Sequence, residues 1–127
     1  MVIPLTDESL TLEELMALIR QFIQARDWEH FQKPAALAMS ASIEMGELLE
    51  RFQWLSNDEI ESLLDDPKYR ESVADEIADV IIYMIRLADT TQIHLTDAIL
   101  GKMKKNEHKY PISEWKGRIP DKVRTPE

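Results

Sequence analysis

Cysteine is absent from the sequence, which rules out both a disulfide framework and a thiolate metal site. A reducing compartment fits that usage. Glycine is almost as scarce, with three residues in 127, leaving little room for hairpins and many short strands. Those three, Gly46, Gly101 and Gly117, cannot build a glycine-rich phosphate loop, so P-loop kinases and Rossmann oxidoreductases drop out. No apolar run approaches the roughly 20 residues a bilayer span needs. The segment MVIPLTDESL lacks a basic region followed by an apolar run, so no secretory signal is expected and the default location is the cytoplasm. Positive charge is in deficit: 15 basic against 24 acidic residues give −9. That balance argues against nucleic-acid and anionic-membrane partners, which call for a basic surface. It suits solubility and is compatible with a cation site.

The 127 residues fit one domain, and a 44% hydrophobic content is normal for a globule that buries a core. Helical punctuation is frequent. Thr11 with Glu14 reads as a capping box ahead of the repeat Leu12, Leu15, Ile19, Phe22, predicting a helix over about 11–27. Pro34 suits the first turn of a second helix, about 34–54. Asn57 is expected to cap a short helix through DEIESLL. Pro67 opens a helix over about 68–91, and Thr96 caps one ending near Pro111. The expected fold is all-α, a four- or five-helix bundle with its helical core over about 11–110. Residues 111–127 have no sustained period and are expected to be a C-terminal arm, either ordered against a neighbour or a frayed end.

Two of these helices place acids against apolar stripes. Projected at about 100° per residue, Glu44 falls beside Leu37 and Leu48, and Glu47 lies at the edge of that arc with Ser40 and Trp54. On the helix after Pro67, apolar residues cover most of the circumference, so it is expected to be largely buried. Glu76 falls there between Tyr83, Leu87 and Val80, with Asp79 on the same side. Residues at i, i+3 spacing sit about 5–6 Å apart at Cβ, close enough to share one cation. Without a cation, like charges at that separation repel by roughly 3 kcal/mol per pair at an effective dielectric near 20. Carboxylate oxygens suit Mg²⁺, and Mn²⁺ as well. Glu44, Glu47, Glu76 and Asp79 are therefore the candidate metal ligands. In a helical protein this acidic, E-x-x-E pairs also arise by chance, as Glu47 and Glu50 show; the placement on apolar arcs, twice, sets the four apart.

At these residues the sequence resembles the MazG-like all-α nucleoside triphosphate pyrophosphohydrolases, and within them the dCTP pyrophosphatase branch. The E-x-x-E … E-x-x-D pattern of that family is matched by Glu44-Met-Gly-Glu47 and Glu76-Ile-Ala-Asp79. The segments RDWEHFQKP, EMGELLERFQW, DEIADVIIYMIRLA and GKMKKNEHKYP resemble the branch in the same order, over about residues 11–111. The resemblance implies Mg²⁺-dependent hydrolysis of a nucleoside triphosphate to monophosphate and pyrophosphate, in a homo-oligomer that is a dimer or tetramer. It implies roles too. Trp28 and Trp54 would stack on the base, and Lys102 and Asn106 would bind the triphosphate, with Lys102 also steadying the leaving group. Glu47 is the candidate general base. Ile19 stands where the branch has a histidine near the base, a departure that bears on base preference; dCTP is still the expected first choice.

Each of these side chains also has a plainer reading. Most tryptophans pack in cores or interfaces. Tyr83, one turn beyond Asp79, either bonds substrate or anchors its hydroxyl in the core. Lys102, Asn106 and Lys109 share one helix face, which is commonly a solvated one. His30 lies in the RDWEHFQKP segment; His94 and His108 read as surface residues. Two other functional classes compete. A carboxylate-bridged di-metal bundle pairs Glu with Glu-x-x-His, which does not occur here. A non-catalytic helical oligomerisation module accounts for the bundle but not for acids on buried arcs.

Overall fold

The structure is a computed structural model, and it describes residues 3, 6 and 8–119. Among them there are six α-helices, a single 3₁₀ turn at Glu29–Phe31 and no strand, as the all-α reading expects. The helices are α1 (Leu12–Gln24), α2 (Pro34–Glu50), α3 (Asn57–Leu63), α4 (Pro67–Thr90), α5 (Leu95–Lys109) and α6 (Ile112–Trp115). The chain divides into two compact units between His94 and Leu95. The first holds α1 to α4; the second holds α5 and α6, where the Tyr110 and Trp115 rings meet edge to face at 5.2 Å.

Within the first unit α4 is the central element. α2 packs along it and α1 leans on it. Met16 and Ile23 of α1, Leu37 and Ala41 of α2, and Val73, Ile85 and Ala88 of α4 make the core. Leu37 and Ile85 are each only 2% exposed. Full burial of a side chain of that size contributes about 1.5–3 kcal/mol.

Local chemistry sets where the helices start. The Thr11 hydroxyl accepts from the Glu14 N–H at 3.1 Å and donates to the Glu14 carboxylate at 3.0 Å. Thr11 is thus an N-cap, but its own N–H is not the group the Glu14 carboxylate accepts from, as a capping box requires. The reciprocal box occurs at α3. There Ser56 Oγ accepts from the Glu59 N–H at 3.2 Å, and the Glu59 carboxylate accepts from the Ser56 N–H at 3.3 Å. Ser56, not Asn57, is the cap. Asp66 caps α4 by accepting from the Lys68 N–H, with Pro67 at the first helical position, where no N–H is needed. α5 begins at Leu95, so Thr96 lies inside its first turn instead of capping it.

The helix ends depart from the sequence periods. α1 stops at Gln24 because Asp27 turns left-handed, at φ 54°. The Trp28 N–H then reaches back to Ile23 O and the Asp27 N–H to Gln24 O, which is a Schellman closure. α2 stops at Glu50, and its last turn tightens through Arg51 N–H to Leu48 O and Phe52 N–H to Leu49 O. Trp54 therefore lies past the helix, at φ 69°. The Tyr69 hydroxyl donates to Arg51 O at 2.7 Å and ties that end to α4. The expectation that α4 is largely buried does not hold in a single copy of the protein. Val73, Glu76, Ile85, Arg86 and Ala88 are buried, whereas Ile77, Ile81, Ile82 and Met84 are exposed. Two packed neighbours cover only part of a helix circumference. No described helix is long and apolar enough to cross a membrane.

Candidate metal centre

The packing of α2 on α4 brings Glu44, Glu47 and Glu76 together. Each offers a carboxylate oxygen, and these oxygens all lie within 4.8 Å of one another. Glu44 and Glu47 share a face because they are one turn apart on α2; Glu76 comes from the buried side of α4 and is 9% exposed. Glu44 is half-buried and Glu47 is exposed. Glu44 Oε2 and Glu76 Oε2 are buried without a hydrogen-bond partner among the described residues. A buried, unpaired carboxylate oxygen is costly, and two beside each other are more so. The strain is visible in Glu47: sharing a proton with Glu44, and the negative charges of Glu44 and Glu76, raise its carboxyl pKa above the ordinary value. A hard divalent cation resolves all three features. Octahedral Mg²⁺ binds oxygens at about 2.0–2.1 Å, which sets ligand oxygens roughly 3–4 Å apart, within reach of this group by small side-chain movements.

Asp79, the fourth expected ligand, is on α4 one turn beyond Glu76; it is exposed and stands outside the group of three. Tyr83 follows it one turn on and is half-buried. Trp28 follows the Schellman closure of α1, 44% exposed, with its indole edge-on to Phe22 at 6.1 Å and the Arg26 guanidinium 3.5 Å over the Phe22 ring. Trp54 is 91% exposed. Ile19 is half-buried on α1, and His30 stacks against Phe31 at 3.9 Å. In the second unit Lys102 and Lys109 are exposed on α5 and Asn106 is half-buried; the Lys109 ammonium lies 5.5 Å from the Tyr110 ring centre.

Periodicity did not single out two arginines of the first unit. Arg51 Nη2 stands 3.4 Å from Glu76 Oε1, at the rim of the carboxylate group. Its position four residues after Glu47 is a helical i, i+4 spacing, the one available signal. Arg86 is 4% exposed, a charged residue inside the stretch of α4 read as buried, which marks it as paired.

An all-α fold in which an i, i+3 carboxylate pair of one helix meets a buried carboxylate of the helix packed on it defines the class, and the comparisons place the chain within it. The sequence pattern of the MazG-like family matches residues 39–118, and the chain belongs to that family. The chain is 37% identical to mouse (Mus musculus) dCTP pyrophosphatase 1 over 107 residues, 84% of this chain and 63% of that protein. Against the human (Homo sapiens) dCTP pyrophosphatase 1 the figures are 38% over 101 residues, 80% and 59%. The chain thus spans about three fifths of the length of these relatives. The crystal structure of a pyrophosphatase from Archaeoglobus fulgidus superposes with a TM-score of 0.73 at 42% identity, covering 85% of this chain and 99% of that one.

Proposed function

We propose that the protein is a Mg²⁺-dependent nucleoside triphosphate pyrophosphohydrolase, converting NTP or dNTP and water to the monophosphate and pyrophosphate, with dCTP its preferred substrate. The observation that carries this reading is the group Glu44, Glu47 and Glu76, two of whose buried oxygens lack a partner among the described residues. Pyrophosphatase relatives over most of the chain support a hydrolytic role for that group. The group contains carboxylates only, and the histidine that a di-metal storage bundle uses is not in it.

Glu44, Glu47, Glu76 and, after a change of rotamer, Asp79 would hold the cation. When bound, Mg²⁺ offsets phosphate charge and lowers the pKa of water. Glu47, the exposed member, accepts the proton of the attacking water. Trp28 and Trp54 are the stacking platforms for the base, a contact tolerant of several bases, and half-buried Tyr83 offers its hydroxyl to the substrate. Lys102 and Asn106 enter as phosphate ligands on the family resemblance alone. Exposed apolar residues on α2 and α4, among them Ile43 at 64%, Leu49 at 60% and Ile81 at 49%, support a homo-oligomer. A cytoplasmic house-cleaning role goes with this reading. The test is a panel of NTPs and dNTPs with Mg²⁺, assayed separately for pyrophosphate and orthophosphate. Pyrophosphate release led by dCTP is expected. Ferroxidase activity without hydrolysis, or no turnover of any nucleotide, overturns the proposal.

A further inference from the structure

A relay of four polar side chains joins α1, the 25–33 connection and α4. Arg20 of α1 grips Asp89 of α4 with two bonds, Nε to Oδ2 at 2.8 Å and Nη2 to Oδ1 at 2.6 Å. Asp89 Oδ2 also accepts from Arg86 Nη1 at 2.6 Å. Arg86 Nε then donates to Gln32 Oε1 at 3.0 Å. Arg86 is 4% exposed. A guanidinium at that depth is tolerated only if paired and hydrogen-bonded, so its direction is fixed. One consequence is that Gln32 meets a rigid donor.

Gln32 closes the segment that carries Trp28. One end of this segment is fixed by the Schellman closure at Asp27, and the 3₁₀ turn follows, with Gln32 N–H bonded to Glu29 O at 2.9 Å. The Gln32 side chain is the tie from the other end to α4. Trp28 thus sits between two anchors, half-exposed, with edge contact to Phe22 and the Arg26 guanidinium 6.0 Å from its ring centre. We propose that Arg86 and Gln32 are positioning residues: the Arg20–Asp89–Arg86–Gln32 relay holds the 25–33 connection and so sets where Trp28 meets the base of the nucleotide. This rests on the nucleotide reading above and adds to it the part of the fold that governs base affinity.

The relay also has a charge signature. It contains two arginines and one carboxylate, so a second carboxylate at position 32 would be welcomed. Gln32→Leu removes the tie at similar size; Gln32→Glu restores it as an ion pair. The two variants should be compared with the wild type, as full-length proteins, for kcat and KM with dCTP and for tryptophan emission and acrylamide quenching in a background where Trp54 and Trp115 are replaced by Phe. In Gln32→Leu the KM for dCTP should rise about tenfold, the share of base stacking that a loose platform forfeits, with kcat within about twofold. Trp28 quenching should increase, and Gln32→Glu should return both readouts towards wild type. A lowered melting temperature with KM and Trp28 quenching unchanged means that the relay is structural only and overturns the proposal. So does a Gln32→Glu variant that behaves like Gln32→Leu. If the wild type hydrolyses no nucleotide, the function reading fails and the fluorescence comparison alone decides: increased quenching in Gln32→Leu, reversed in Gln32→Glu, upholds the positioning, and unchanged quenching overturns it.

Discussion

Arg51 Nη2 and Glu76 Oε1 face each other at 3.4 Å, which puts a fixed positive charge at the edge of a group of three carboxylates. Arg51 partly neutralises a site that would otherwise carry concentrated negative charge, and it repels an arriving cation. Arg51→Ala should therefore bind Mg²⁺ more tightly, by about three- to tenfold at low salt, with the gain shrinking as ionic strength rises. Isothermal titration at two salt concentrations checks this; equal affinity in both proteins at low salt refutes the electrostatic account.

Removing one ligand charge without changing shape isolates the metal role. Glu47→Gln should abolish turnover and weaken Mg²⁺ binding while leaving the helical circular dichroism unchanged, since Glu47 is exposed and carries no packing. Turnover close to wild type would refute its assignment as both ligand and base.

The raised pKa of Glu47 has a definite sign. A carboxyl whose folded pKa lies above its unfolded one favours the fold while protonated and loses that contribution as pH rises through the folded pKa. Without Mg²⁺, Glu47→Gln should thus gain melting temperature relative to wild type as pH is raised from about 4 to 7. Saturating Mg²⁺ should raise the wild-type value by ordinary binding linkage and reverse the order. A Mg²⁺ shift absent at millimolar levels would show that the group is not a metal site.

Asp89 carries the opposite sign. Its hydrogen bonds to Arg20 are the largest cause of a pKa below the ordinary carboxylate value, with the charges of Arg20 and Arg86 adding to them. A depressed folded pKa stabilises above the unfolded value and is lost as pH falls through the folded one. Asp89→Asn leaves Arg86 buried beside a neutral group and should cost about 2–3 kcal/mol at pH 7. The gap to wild type should close as pH drops below about 4, measured by thermal denaturation. A gap constant with pH would assign the loss to shape instead of charge.

How much of the fold and site is legible in the sequence follows from range. The all-α class, the principal helices and the i, i+3 pair Glu44 and Glu47 are written in local spacing, with periods of 3.6, Pro34 and Pro67 at helix starts, and acids on apolar arcs; that Glu76 of α4 joins them follows from the family resemblance and not from spacing. The end of α2 is not, since it depends on a left-handed Trp54 that no composition rule favours. The Arg20–Asp89 and Arg86–Gln32 bonds join residues 69 and 54 positions apart, and local patterns carry no record of such partners. The exposure of Ile77 and Ile81 escapes the periodicity for a related reason: a hydrophobic repeat reports that a face is to be covered, not whether the same molecule covers it.

Trp54 offers the sharpest test of substrate recognition. It is 91% exposed and sits at φ 69°, a region costing a non-glycine residue on the order of 1–2 kcal/mol. A large apolar side chain held out at a strained position is not stabilising this molecule by packing, and glycine would fit the backbone better. That placement points to a contact outside the molecule. If that contact is the nucleotide base, Trp54→Gly should leave the melting temperature within about 2 °C, because the strain relieved offsets the freedom glycine adds to the unfolded state. The KM for dCTP should rise about tenfold or more, as loss of one stacking partner requires, with kcat much less changed. The products should remain the monophosphate and pyrophosphate in both proteins, because the bond cleaved is set at the carboxylates and not at the base. Steady-state kinetics across a dNTP panel with separate pyrophosphate and orthophosphate assays, together with sedimentation of both proteins, distinguish the outcomes. An unchanged KM with an altered sedimentation coefficient would make Trp54 an interface residue. Orthophosphate with a diphosphate product would overturn the bond assignment itself, and a strong preference for purine ribonucleotides, untouched by the substitution, would remove the base platform while leaving the metal group standing.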